Sequence, residues 1–590
     1  MIEPRVYRAA FVPALLVLVL AMFSLQSRPG PLEQGLAADV LFDGRLAAVS
    51  AATIAEDEPD RRAGGPGDRR TADFVARELE TLGFPDPELQ SFTHADRRLV
   101  NVIARRAGRS RRQIVILAAR DAGVVPEATG SAADTAALLE LARVFEGRPT
   151  RKTLVLASVD GSNLGEVGTT ELIGELPAPD LVDGVLVMSD LASATRRGPI
   201  VQAWSDDSRR AGIGLTRTVA DSIRQEIEVK LGGSGVLGQL ARLSFPIGIG
   251  PQGPLIAAGY DTVRISGSGE LPPDGNGPVE AIDEDTIGAL GRATLRTVTA
   301  LDQGRRPEHG PESYVTAVSQ VMAGWVLALL GGTLLLPVFV AAVDAFARAR
   351  RRDIEVLAWL RWLGAWVAPF LAGLAVAEVL ALTGATPAPP PAPVAPGLLP
   401  LDGPALGVLG GVAGAMLLAL ALGRFLAARP QRKLGAPEGP GAGVAIALLL
   451  SVASLALWLV NPYAGLLVVP AAHLWLLAVL AGAERRRRFR ALLLALGALP
   501  VVVVAVYYLF ALSMDPLSGA WYLFMLITGH SVSLATSLIA CLMLGALGAA
   551  AELVARSPVP FAHEPDDALP SLFGPGGRAG SGLLTRVRSR

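Results

Sequence analysis

The 590-residue sequence predicts a membrane protein in two parts, an α/β domain and an all-α bundle of about seven C-terminal membrane helices, preceded by one N-terminal anchor helix. Three observations carry that prediction. Hydrophobic residues make up 51% of the chain and the mean hydropathy is positive, more apolar surface than one soluble domain of this length holds. Residues 41–303 alternate short β-branched runs with amphipathic helical stretches, the texture of an α/β domain. After Tyr314, apolar runs long enough to cross a bilayer recur at 318–343, 356–382, 404–427, 441–460, 464–482, 491–512 and 521–548.

The first element is a short basic stretch, Met1 to Arg8, followed by an apolar run from Ala9 to Leu25. No small-x-small cleavage pattern follows, so residues 1–27 read as an uncleaved signal-anchor with Arg5 and Arg8 on the cytoplasmic side. The single cysteine, Cys541, lies in an apolar stretch, so the outer domain rests on its core and not on an internal disulfide. With a net charge of −1, and arginines clustered beside apolar segments rather than spread over one face, nucleic-acid binding is disfavoured.

Within the domain, Arg62-Ala-Gly-Gly-Pro-Gly67 leads into a helix whose inner face is Ala72, Val75, Leu79 and Leu82, with Gly83 as its C-cap. The strands LVNVIA and QIVILAA follow. A helix runs from Asp283 to Leu301, and residues 304–317 form a linker to the membrane region, 318–548.

The loops test the span count, because cytoplasmic loops are enriched in Lys and Arg. Alternate loops are: Arg348, Arg350, Arg351 and Arg352 follow one helix, Arg424, Arg429, Arg432 and Lys433 another, and Arg485 to Arg488 with Arg490 a third. The Pro-rich loop from Thr386 to Pro400, the turn at Asn461 and Pro462, and the loop around Asp515 carry neither. This pattern predicts about eight spans with the anchor, an extracytoplasmic domain, both termini in the cytoplasm, and a plasma-membrane location. The tail 557–590, rich in Gly, Pro and Arg, reads as disordered.

The strands and helices above, followed by ATGSAADTAALLELARVF, KTLVLASVDGSNLGEVG, VLVMSDLAS and PLIAAGYDTVRIS, resemble the zinc-dependent aminopeptidase family of the aminopeptidase-Y type. The resemblance covers most of residues 45–303 and implies a mixed sheet flanked by helices, with two zinc ions at the strand ends. Such a centre needs about five His and carboxylate ligands and a Glu base. By this resemblance the family's His-x-Asp falls on Ala119-Arg120-Asp121 and its bridging Asp on Gly130-Ser131. The Glu-Glu pair falls on Ser162-Asn163, a further ligand on Asp190, and the final His has no counterpart.

Two of the expected ligands, Asp121 and Asp190, remain, and the base does not. The domain therefore reads as a metal-free, non-hydrolytic relative with a residual cleft of Asp121, Ser131, Asp160, Ser162, Asn163, Glu166 and Asp190. If any metal binds, zinc on Asp121 and Asp190 is the alternative. Glu166 stands three positions past the expected base, and His94 and His309 read as solvated. Ser131-Ala-Ala-Asp134 fits a helix capping box, and Asp160 a strand-end carboxylate holding loop amides; for Asp121 and Asp190 both readings stay open. Gly161, Gly165 and Gly168 fit turns.

The whole-chain layout resembles the attachment subunit of the glycosylphosphatidylinositol transamidase, which joins a protein's carboxyl end to a lipid-linked amine within a complex whose nucleophile is on another chain. The resemblance implies a peptide or protein terminus, a membrane lipid and a membrane-protein complex as partners. Intramembrane polar candidates are Glu378, His473 and His530, with Thr528, Ser531 and Ser533; one outer-leaflet cavity and hydrogen bonds to neighbouring helices are both open for the two histidines, and the hydroxyls fit the second. Trp359, Trp362, Trp366 and Trp521 fit interfacial belts. Two other readings are an active zinc exopeptidase and a transporter or lipid flippase with an accessory domain; few mid-membrane charges and no internal repeat speak against the last.

Overall fold

The computed structural model describes residues 3–32, 41–193, 198–227, 231, 233–273, 275–318, 320–434, 440–480 and 487–556. The tail expected at 557–590 lies outside the described residues. The N-terminal apolar stretch, read above as an anchor, consists of α1 (Pro4–Ala9) and α2 (Val12–Phe23), and the chain leaves it through β1 (Gln26–Ser27).

The domain follows as α3 (Gly44–Asp57), α4 (Pro66–Thr81), β2 (Glu88–His94), β3 (Arg97–Arg106), β4 (Ser110–Ala119), α5 (Ala133–Phe145), β5 (Lys152–Val159), α6 (Val167–Glu175), β6 (Val182–Ser189), β7 (Ile200–Gln202), α7 (Ile213–Glu226), α8 (Val236–Ser244), α9 (Gln252–Ala257), β8 (Thr262–Ser266) and α10 (Glu284–Gln303). Seven strands form one mixed sheet in the order β2-β3-β5-β4-β6-β8-β7. The central strands β5, β4, β6 and β8 are parallel, while β2, β3 and β7 add antiparallel edges. Ile114 to Ala118 of β4 are all fully buried, because helices cover both faces of a sheet built from parallel crossovers. The larger core packs α3, α4, α5, α7 and α10 on one face, and the smaller packs Leu172, Leu176, Leu255 and Tyr260 of α6, α9 and the turn after α9 on the other. This is the mixed sheet flanked by helices that the sequence predicts. Local signals act where expected: Ala72, Val75 and Leu79 are buried, Gly83 has φ +82°, and Asp283 caps α10 by accepting from the Thr286 amide at 2.8 Å.

The segment read as a plain linker instead contributes β9 (Tyr314–Ala317), which pairs with β10 (Gln320–Ala323); β10 pairs in turn with β1. The anchor's exit and the domain's exit are therefore tied by a three-stranded sheet. The bundle continues as α11 (Gly324–Arg351), α12 (Trp359–Leu382), α13 (Gly403–Leu434), α14 (Pro440–Val460), α15 (Pro462–Leu467), α16 (Val469–Leu480), α17 (Arg487–Ala511), α18 (Pro516–Thr528) and α19 (Leu534–Arg556).

Among the described residues seven helices, the anchor included, are long and apolar enough to cross a membrane. Two expected spans are interrupted. The 464–482 run is split into α15 and α16, where Pro470 lacks the amide hydrogen that a continuous helix needs. The 521–548 run breaks after α18, where His530 adopts φ +59° in the turn before α19. The Lys- and Arg-free loops lie at the end of the bundle that meets the domain. Asn461 Nδ2 donates to the carbonyls of Leu243 and Ser244 at 3.1 and 3.3 Å, and Tyr508 Oη donates to the Phe245 carbonyl.

Candidate functional site

The parallel strands β4, β5, β6 and β8 end on one side of the sheet, and the residues just past three of them are Asp121, Asp160 and Asp190. A crevice at such carboxyl ends is where ligands bind in sheets of this kind. Asp121 is 1% exposed. Its Oδ1 accepts from the Ser162 amide at 2.9 Å, and its Oδ2 from the Asn163 amide at 3.0 Å and from Asn163 Nδ2 at 3.1 Å. The Ser162–Leu164 turn that presents these donors needs left-handed backbone at both ends, supplied by Gly161 (φ +76°) and Gly165 (φ +88°). Burial raises the Asp121 pKa against the lowering effect of the amides. Ser162 Oγ is buried and has no partner among the described residues.

Asp160 accepts from the amides of Val100 and Gly64 at 3.1 and 3.3 Å, and burial with the nearby Asp68 pushes its pKa up to about 8. Arg120, a residue the sequence reading passed over, lies 3.9 Å from it. Fully buried, Arg120 grips Asp68 with two hydrogen bonds of 2.9 and 3.0 Å and the Val100 carbonyl at 2.7 Å. An arginine directly after an apolar strand, as in Ala118-Ala119-Arg120-Asp121, is the signal that such a buried pair was needed.

Asp190 has φ +53°. Its Oδ2 accepts from Ser268 Oγ at 2.8 Å and Ser189 Oγ at 3.1 Å, with Arg264 Nη2 at 3.5 Å. The capping box expected at Ser131 and Asp134 is not formed. Asp134 instead reaches across to accept from the amides of Asp190 and Leu191 at 2.9 and 3.0 Å, because a left-handed turn at Asp190 leaves those buried donors without a backbone partner. Ser131 Oγ donates to Glu127 Oε2 at 2.9 Å and accepts from Arg61 Nη2 at 3.1 Å.

Glu127 and Arg61 are the other functional-looking residues that sequence reasoning missed. Glu127 Oε2 also accepts from the Gly123 amide at 3.1 Å, and burial, then Asp190, raises its pKa to about 8. At Gly130 a Cβ would stand 3.0 Å from Asp190 Oδ1 and 3.1 Å from Glu127 Cγ, so these carboxylates crowd the position that the resemblance gives to a bridging ligand. Glu166 is buried with φ +59°; Thr169 Oγ1 donates to its Oε2 at 3.0 Å, and burial pushes its pKa well above the usual range. Burial thus favours its protonated form, the wrong form for a general base.

Neither expected solvated histidine brings an imidazole to the cleft. His94 is half-buried at the end of β2. His309 is not simply solvated: its Nδ1 lies 3.5 Å from Asp261 Oδ2, and that hydrogen bond raises its pKa. Among the described residues no group of three or more His, Cys, Asp or Glu side chains is placed to hold a metal ion.

The cleft is also covered. The Pro-rich loop between α12 and α13 seats on the turns that follow β4 and β5. A Cβ at Gly165 would lie 2.5 Å from Pro391 Cδ, and one at Gly123 would lie 3.2 Å from Leu398 Cδ2. Ala392, Val394 and Ala395 are buried, and the Val394 carbonyl accepts from Tyr522 Oη at 2.9 Å. The sequence signal was a long uncharged Pro/Ala run on the domain side, apolar surface that needs a cover.

In the bundle the three polar candidates do not converge on one cavity. His473 bonds the Tyr7 hydroxyl through Nδ1 and the Leu334 carbonyl through Nε2 at 2.8 Å, and stacks on Phe11 with ring centroids 5.4 Å apart. It pins the anchor to α11 and α16. Glu378 lies on α12, with Oε1 buried and without a partner among the described residues, and His530 is exposed in the turn before α19. Trp359, Trp362 and Trp521 are buried within protein, and Trp362 and Trp366 donate to Glu552 at 3.3 and 2.6 Å.

No family model matches the chain, and no curated protein does. Among solved structures, the zinc aminopeptidase BSAP from Bacillus subtilis is similar at 12% identity over 45% of this chain and 99% of that one, with a TM-score of 0.36. A glutaminyl cyclase from an Acidobacteriales bacterium is similar at 13% identity over 47% of this chain and 99% of that one, TM-score 0.35. LapB from Legionella pneumophila is similar at 15% identity over 48% and 80%, TM-score 0.37. These are likenesses of fold.

Proposed function

We propose that this protein is a multi-pass membrane scaffold whose peptidase-like domain does not hydrolyse peptides. The observation that carries the reading is the commitment of Asp121: both its oxygens hold amides of the turn where the resemblance expects a base and a ligand. Asp190 Oδ2 is engaged by two hydroxyls and an arginine, and among the described residues no third His, Cys, Asp or Glu side chain is placed to complete a metal site with either aspartate. These residues do not fit a two-zinc centre.

In this reading the domain binds a peptide or protein terminus at the former cleft, which the chain's own Pro-rich loop fills, so an incoming segment has to displace that loop. The bundle holds a lipid or a partner helix within a membrane-protein complex, in the manner of the glycosylphosphatidylinositol transamidase attachment subunit. The domain is extracytoplasmic at the plasma membrane, with an uncleaved signal-anchor and both termini in the cytoplasm. Support for that orientation comes from Arg348, Arg424 and Arg556, which lie at the end of the bundle away from the domain. The test is metal analysis of the purified full chain together with peptide incubation. The scaffold reading expects no stoichiometric zinc and no released amino acids. About two zinc per chain with amino-acid release would establish the exopeptidase instead.

A further inference from the structure

The segment that leaves the anchor runs along α7 and meets the β9-β10 hairpin, and a cavity of about 420 Å³ opens there, lined by Ser27, Arg28, Arg217, Val318 and Gln320. Its height in the molecule is set by its neighbours. Helix α2 ends at Phe23 and α11 begins at Gly324, so the cavity stands at the level where the apolar helices give way to the domain. Exposed apolar side chains flank it along the chain: Val318, 94% exposed, lines it, and Phe23 at the end of α2 and Trp325 at the start of α11 are 85% and 57% exposed.

The charge at this place is one-sided. Neither Arg28 nor Arg217 pairs with a carboxylate among the described residues. Among the described residues Arg217 Nη1 donates to the carbonyls of Arg28 and Pro29, and Arg28 Nε is buried and has no partner. The acid one turn along α7, Asp221, is engaged by Arg224 at 3.3 Å and Gln225 at 3.1 Å. Behind the cavity a third cation, Arg210, is buried between the rings of Trp204 and Tyr314, each 4.1 Å from its guanidinium carbon, and also meets no carboxylate among the described residues. Burial first, and then the Arg217 charge, hold the Arg28 pKa below its ordinary value.

We propose that Arg28 and Arg217 form a binding site for the phosphate of an anionic phospholipid head group, with the acyl chains lying against Phe23 and Trp325. Guanidinium forks match phosphate oxygens in pairs, and hydroxyl or amide groups of the head group find Ser27 and Gln320 beside them. The inference goes beyond the scaffold reading and does not depend on whether the domain hydrolyses peptides.

The test uses the full chain in detergent, exchanged against equal amounts of dioleoylphosphatidylglycerol and dioleoylphosphatidylcholine, with lipid retained per protein read by native mass spectrometry. The wild type is expected to retain phosphatidylglycerol preferentially. R28Q/R217Q is expected to lose that preference by about tenfold or more, since each arginine near the surface contributes on the order of a kcal/mol. R28K/R217K should keep part of it, and R305Q, at an exposed arginine elsewhere on the domain, should keep all of it. Equal retention of the two lipids by the wild type, or unchanged preference in R28Q/R217Q, overturns the proposal. Displacement of the bound lipid by millimolar inorganic phosphate also overturns it, because the site would then read free phosphate and not a lipid.

Discussion

Replacing Glu127 with Gln should change how the domain's stability depends on pH while leaving its hydrogen bonds in place. The Glu127 carboxyl is 9% exposed, and its Oε2 accepts from Ser131 Oγ and the Gly123 amide, both of which a Gln carbonyl can also satisfy. Burial and Asp190 raise its pKa from 4.5 to about 8. Between those values the folded chain holds a proton that the unfolded chain has released. This contribution to stability is therefore fully present below the unfolded value and is lost as pH rises through the folded one. At 1.36 kcal/mol per pH unit, the loss by pH 8 is on the order of 4 kcal/mol. E127Q removes that loss. The variant should match the wild type near pH 4.5 and exceed it by roughly 3 kcal/mol at pH 7, worth about 2–4 °C in melting temperature per kcal/mol for a domain of this size. Asp160 and Asp206, also raised to about 8, leave a residual slope in the variant. The assay is thermal unfolding of the full chain in detergent at a series of pH values, followed by hydrogen exchange of β4 and β5. Parallel curves for the two proteins would refute the reasoning.

Other perturbations separate the remaining contacts. D121A strips two amides and the Asn163 side chain of their acceptor and should lower domain stability by about 2–3 kcal/mol in the same melts, with no change in metal content. G165V puts a side chain at φ +88° and against Pro391; it should cost about 2 kcal/mol or more and make the Pro-rich loop a new site of limited proteolysis. His309, raised by Asp261, contributes stability that is full below its unfolded pKa of 6.5 and fades as pH rises through its higher folded value. H309Q should flatten the melting profile above about pH 6.5. Y7F removes the hydroxyl bonded to His473 and should loosen the N-terminal helix by about 1 kcal/mol or less, read as faster exchange of α2 amides.

Local period determined much of this protein from its sequence alone. The alternation of β-branched and amphipathic segments fixed the order of the domain's elements, because burial repeats along one strand or helix and needs no knowledge of its neighbours. Hydropathy likewise located the anchor and the long bundle helices, and the arginine pattern separated the loops that meet the domain from those at the far end. Where a backbone constraint cut through an apolar run, as at Pro470 and at Gly529-His530, composition ran straight across the break.

Partnership was decided only by tertiary structure. Asp134 looked like a cap because Ser131 stands three residues before it; its real partners are the amides of Asp190 and Leu191, 56 and 57 residues away. Arg120 waits on Asp68, 52 residues earlier, and Arg61 on Ser131, 70 later. Cover over the cleft comes from a loop of the membrane region more than two hundred residues downstream of Gly165. A buried polar group must be satisfied by whatever the fold brings within about 3 Å, and that distance is set by how sheets and helices pack, not by neighbours along the chain.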